Sequence, residues 1–199
     1  MIDKKVLEEL YVNKKFSMLE VSKKLSCSVN KVSYWMKYHS LQRRTISEGV
    51  YAKHNPHGDP FSFRLPKTKE EHFLYGVGLG LYWGEGTKAN KYSVRLGNTD
   101  PKMVLVFIDF LETFFTISRK DIRFGIQVFS TMEPKEVLTF WLKELKVSED
   151  QFMKVIVTPK RGEGSYGRKM EYGVLTVYYH NKKMRDMLVA QIEKLKEIS

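Results

Sequence analysis

Glu85 is the residue from which chemistry would start. It stands in Gly84-Glu85-Gly86, at the end of an apolar run in which Gly76, Gly80 and Gly84 recur every fourth residue. On a helix that spacing leaves a bare stripe along one face, so a second backbone can approach closer than side chains ordinarily allow. The acid then lies at the foot of a helix–helix contact. Each interior glycine costs about 1 kcal/mol of helix propensity against Ala, so the run needs a compensating gain in packing. Other reactive sets are thinner. His54, His57 and Asp59 could ligate a metal, but they lie among Pro56, Gly58 and Pro60, and surface histidines on a connector are the commoner arrangement. The pair Arg43-Arg44 and the basic loop around Lys160, Arg161, Arg168 and Lys169 suit contacts to phosphate.

The elements that must position these groups can be read from capping and periodicity. Thr68 and Glu71 form an S/T-x-x-E box that opens the glycine-bearing helix. Residues 92–97 and 122–129 alternate with a period of two and read as strands; in the second, Arg123, Gly125, Gln127 and Phe129 share one face. Asp100-Pro101 opens an apolar helix through Phe115, and Pro134 opens another with a stripe of Val137, Leu138, Trp141, Leu142 and Leu145. Residues 155–158 and 172–179 read as two further strands, and Asn181 caps a last helix from Lys182 to about Glu197.

Residues 3–13 put Val6, Leu7, Leu10 and Tyr11 on one helical face. Ser17 and Glu20 box a second helix with Leu19, Val21 and Leu25 turned inward, and Ser28 caps a third through about Ser40. Over residues 4–42 this resembles a helix-turn-helix DNA-binding domain. The resemblance implies that Val29, Val32, Trp35 and Met36 pack the third helix down. Ser28, Asn30, Lys31, Ser33, Tyr34 and Lys37 then point toward major-groove base edges, and Arg43 and Arg44 toward phosphates. A three-helix oligomerisation or protein-docking module is the alternative.

Gly78-Leu79-Gly80-Leu81-Tyr82-Trp83-Gly84-Glu85-Gly86 resembles the signature helix of the LAGLIDADG homing endonuclease family. The order of elements over residues 69–197 is close to that family's α-β-β-α-β-β-α core, with the helix at 101–115 added. The resemblance implies that Gly76, Gly80 and Gly84 form a dimer interface, because one motif per chain requires two chains. It also implies that Glu85 is a metal-holding catalytic acid, for Mg²⁺ or another divalent cation. Gln127 then corresponds to a glutamine that positions solvent, and Lys182 to an active-site lysine that stabilises phosphate charge. Arg95, Arg123 and the basic loop would lie along the DNA. Trp83 stands where the motif has its first acid.

The fold expected is therefore α+β: a helix-turn-helix domain over residues 1–45, a linker over 46–68, and an endonuclease-like αβ domain over 69–199 with an antiparallel saddle sheet. The 199 residues carry a formal charge of +11, and residues 1–70 hold 14 Lys+Arg against 7 Asp+Glu. Such a balance favours a polyanionic partner, most often nucleic acid, and the two resemblances imply double-stranded DNA. The lone Cys27 rules out a disulfide framework, and neither a secretion signal nor a membrane-spanning run is evident, so a cytoplasmic protein, nucleoid-associated if bacterial, is expected. Two functions follow: a homodimeric metal-dependent endonuclease, or a regulator that binds DNA through the same fold without cutting it. An RNA-processing role is a third.

Overall fold

The computed structural model describes residues 1–159 and 171–197. They form two compact units, Met1–Pro60 and the chain from Phe61 onward. Lys160, Arg161, Arg168 and Lys169, expected to contact DNA, lie outside the described residues.

The first unit is helical. Asp3 caps α1 (Lys4–Leu7), which widens into a π-helical turn over Glu8–Asn13. Helix α2 (Met18–Lys24) begins at the Ser17–Glu20 capping box, and α3 (Val29–Tyr38) at Ser28, whose hydroxyl accepts from the Lys31 N–H. Ile2, Leu7, Tyr11, Val21, Val32 and Met36 form the core. Two expected core positions differ. Leu19 is 55% exposed, because Met18, Val21, Ser22 and Leu25 make the inward stripe at i, i+3, i+4 and i+7. Val6 is also exposed, since the inward side of the widened helix runs through Leu7, Leu10 and Tyr11.

The expected linker over 46–68 is replaced by structure at both ends. Thr45 and Glu48 close a capping box on α4 (Ile46–His54), a signature present in the sequence as Thr45-Ile46-Ser47-Glu48. Phe61 is buried in the core of the second unit, and the N–H groups of Ser62 and Arg64 donate to the carbonyls of Phe115 and Phe114. Arg64 then holds Glu71 through two hydrogen bonds of 2.9 and 2.8 Å. Only residues 55–60 remain between the two units' ordered elements.

The second unit carries α5 (Lys69–Glu85), β1 (Val94–Asn98), α6 (Pro101–Phe115), β2 (Arg123–Phe129), α7 (Pro134–Leu145), β3 (Ile156–Thr158), β4 (Val174–Tyr179) and α8 (Lys182–Lys196). The sheet order is β1-β4-β2-β3. β4 runs antiparallel to β1 and β2, but β2 and β3 are parallel, so the sheet is mixed and not antiparallel. The connection through α7 is the cause: a helical crossover brings the chain back in its original direction. Val94, Leu96, Phe124, Ile126, Val128, Leu175 and Val177 point inward onto the helices. Helix α6 supplies Phe107, Phe110, Phe114 and Phe115, each contributing about 1.5–3 kcal/mol on burial. Among the described residues no helix is long and apolar enough to cross a membrane.

Candidate functional site

Two surfaces of the second unit gather the candidate groups. The first is the end of α5. Thr68 caps this helix by accepting from the Glu71 N–H, and Glu85 is its last residue, exposed to solvent. A Cβ added at Gly76, Gly80 or Gly84 would meet nothing within 4 Å, so the three-glycine stripe is open from Gly76 to Gly84. Phe73 (75% exposed) and Trp83 flank the stripe at its two ends. The close contact inside the unit falls instead on Gly78, where a Cβ would lie 2.2 Å from Phe110 Cγ.

Beyond Glu85 the chain is held by two cations that sequence reasoning passed over. Lys88 donates through Nζ to the carbonyls of Trp83 and, at 3.4 Å, Tyr82, placing positive charge on the negative end of α5. Arg185, near the start of α8, donates to the carbonyls of Asn90 (3.1 Å) and Lys88 and to Asp186 (3.0 Å). Its guanidinium therefore ties α8 to the loop leaving α5. Lys182 pairs with the same Asp186. Burial pushes the Asp186 carboxyl up, but hydrogen bonds from Lys182 and Arg185 outweigh it and hold the group below the ordinary carboxylate range. Beneath them Tyr82 is fully buried, and its hydroxyl has no partner among the described residues. Burial raises its pKa, so the phenol stays neutral.

Lys182 is thus linked to the Glu85 end of the unit through Asp186 and Arg185, whereas Gln127 is not. Gly86 pairs with Leu96, Leu96 with Val177 and Val177 with Phe124. Three strand spacings across and three residues along β2 set the backbones of Gln127 and Glu85 roughly 17 Å apart. Two ligands of one Mg²⁺ sit within about 4 Å of each other, so the two side chains of one chain cannot share an ion. Among the described residues no group of three or more His, Cys, Asp or Glu could hold a metal ion. That includes the His54/His57/Asp59 set, where His54 bonds the Val50 carbonyl and Asp59 accepts from Tyr51.

The second surface is the outward face of the sheet. Register places Arg95, Tyr178 and Arg123 in one row across β1, β4 and β2. The Arg95 guanidinium lies 5.1 Å from the Tyr178 ring centre, and His180 stacks on that ring at 6.0 Å. Burial, then Arg95 and Arg123, lowers the His180 pKa below its usual value. The next outward row is Gly97, Thr176 and Gly125, and the one after it carries Val174, Gln127 and Ile156. Gln127 is exposed there, on the same face as Arg123, as the alternation of β2 requires. Tyr178 and His180 had no distinctive spacing in the sequence; only the strand register brings them to the two arginines.

In the first unit Ser28, Asn30, Lys31, Tyr34, Lys37 and Arg43 are exposed, while Ser33 is half-buried. Arg44 departs from the phosphate role expected for it. Its backbone N–H donates to the Tyr11 hydroxyl, its guanidinium donates to the carbonyls of Lys15 and Phe16, and it lies 4.2 Å from the Tyr11 ring centre. Those bonds commit the side chain to closing the helical unit. Against protein-family models, curated proteins and solved structures alike, the chain finds no match.

Proposed function

We propose that the chain binds double-stranded DNA as a homodimer and cleaves it with Mg²⁺ or another divalent cation. One observation carries the reading: α5 leaves Gly76, Gly80 and Gly84 in open space and ends on the exposed carboxylate of Glu85. Two such helices meeting along their glycines bring two carboxylates together. Mg²⁺ is held by one or two carboxylates, waters and substrate phosphate. Glu85 fits that requirement as half of a site completed by a second chain. When bound, the ion supplies charge stabilisation to the phosphate and acidity to a water. Lys182, paired with Asp186, offsets phosphate charge near the same end of the unit. Arg95 and Arg123 hold the backbone of the duplex against the outer sheet face, and the first unit adds affinity through its helix-turn-helix surface.

The second reading, a regulator that binds without cutting, is favoured by Trp83, which is 44% exposed where the motif's first acid would stand. Nicking of supercoiled plasmid in Mg²⁺ separates the two. The endonuclease nicks, and both Glu85→Gln and chelation stop it. A parent protein that binds its site and leaves it intact is the regulator.

A further inference from the structure

We propose that the outward face of α3 is a stacking platform for the unpaired bases of a single DNA strand. Tyr34 and Tyr38 stand one helical turn apart and are 62% and 65% exposed. They are not loose. Trp35 lies between them, 5.3 Å from Tyr34 and 5.1 Å from Tyr38 by ring centres, in edge contacts. His39 stacks on Trp35 at 5.7 Å, touches Tyr38 at 5.2 Å, and is itself anchored by a 2.9 Å hydrogen bond between Nε2 and the Ile2 carbonyl. Four rings thus form a braced ladder whose outer two members face solvent. Val32 and Met36, on the opposite side of the helix, hold it to the core, so the exposed rings are not what makes α3 fold.

Charge identifies the partner as a polyanion. Lys23, Lys24, Lys31, Lys37 and Arg43 are exposed within residues 21–47, a stretch without a single Asp or Glu, while Arg44 there is committed to the Lys15 and Phe16 carbonyls. Ring chemistry then chooses among polyanions. In a duplex the bases are stacked and offer only their edges, which are read by hydrogen-bonding side chains. The exposed face of α3 carries Ser28, Asn30, Lys31 and Lys37 for that purpose, whereas Tyr34 and Tyr38 add π-faces that edge readout does not use. Cationic surroundings plus aromatic faces are the chemistry that binds unstacked strands with little sequence preference.

This inference rests on the first unit being a DNA-binding unit and is independent of any cleavage. The test is fluorescence anisotropy of the full-length protein with a dT oligomer of about 20 nucleotides, the matching rU oligomer and a duplex of the same length, at one fixed salt concentration. Tyr34→Ala and Tyr38→Ala should each weaken dT binding by about 5- to 150-fold, the range for losing one stacked base. Tyr34→Phe and Tyr38→Phe should bind like the parent, because the ring and not the hydroxyl is used. Duplex binding and plasmid nicking should be unchanged in Tyr38→Ala and Tyr38→Phe, Tyr34→Ala should lose far more affinity for dT than for the duplex, and Arg95→Ala/Arg123→Ala should reduce duplex binding while leaving the tyrosine effect in place. Equal losses on duplex and single strand, no loss on either, or tighter binding of rU than dT would overturn the proposal.

Discussion

The Cβ that Gly78 lacks would lie 2.2 Å from Cγ and 2.7 Å from Cβ of Phe110, so α5 and α6 meet where a glycine faces a phenylalanine. Alanine there cannot be absorbed by a flexible side-chain end, because the whole ring root is in the way. Gly78→Ala should destabilise the second unit by about 1–3 kcal/mol through overpacking, despite the helix propensity it gains. Urea denaturation followed by tryptophan fluorescence measures it.

Gly80 gives the opposite result. A methyl group there meets nothing within 4 Å. Gly80→Ala should therefore stabilise the isolated chain by about 0.5–1 kcal/mol, the ordinary gain for a glycine in a helix. Gly80→Leu should leave the fold intact and abolish self-association, since a branched side chain cannot fit where two backbones cross. Sedimentation velocity decides: a parent protein that stays monomeric with and without DNA removes the shared-carboxylate mechanism.

Glu85 is tested by charge alone. Glu85→Gln keeps the size of the side chain and removes the charge that would hold a divalent ion. Nicking should fall by about 10²-fold or more, while duplex binding holds or tightens slightly as repulsion toward phosphate drops. Equal nicking by parent and variant would take Glu85 out of the chemistry.

Most helices were legible because their caps are local. Ser17, Ser28, Thr68, Asp100 and Asn181 each accept the backbone N–H expected of them, and the inward residues of β2 and α7 follow simple periodicity. The Thr45 box was equally visible, but the prolines downstream drew the whole stretch into one connector. What the sequence could not convey was non-local. The parallel pairing of β2 with β3 depends on where the α7 crossover delivers the chain. The Arg95–Tyr178–Arg123 row depends on register between residues more than 50 positions apart. Arg44 and Arg43 are neighbours of one type, and only folding decides which guanidinium meets the Lys15 and Phe16 carbonyls and which meets solvent.

Glu71 sets an acid-sensitive latch in the first turn of α5. Hydrogen bonds from Arg64, then from the Lys67 N–H, lower its pKa from 4.5 to about 2. A depressed carboxyl stabilises the folded state fully above its unfolded value and loses that contribution as pH falls toward the folded value. Glu71→Gln should accordingly lower Tm at neutral pH, and the gap to the parent should close between about pH 4.5 and pH 2. A gap that persists unchanged at pH 2 would mean that the charge of Glu71 is not what holds the Phe61–Lys67 segment to α5.

The pairing of β1 with β4 also has a consequence during synthesis. Val94 must wait for Tyr179, its partner across the sheet, and every β1 hydrogen bond to β4 is delayed alike. At about 5–20 residues per second on the ribosome, β1 leaves the polymerisation centre about 4–17 s before its partner exists. By then α5 and α6 can already have closed on each other through Gly78 and Phe110, sheltering one side of β1. Its other edge stays bare until the last fifth of the chain emerges, so the nascent protein passes through a stage with an open strand and a strongly apolar helix pair. A holdase that recognises extended apolar segments should be found on ribosome-bound chains halted between α6 and β4 and released once α8 has been made.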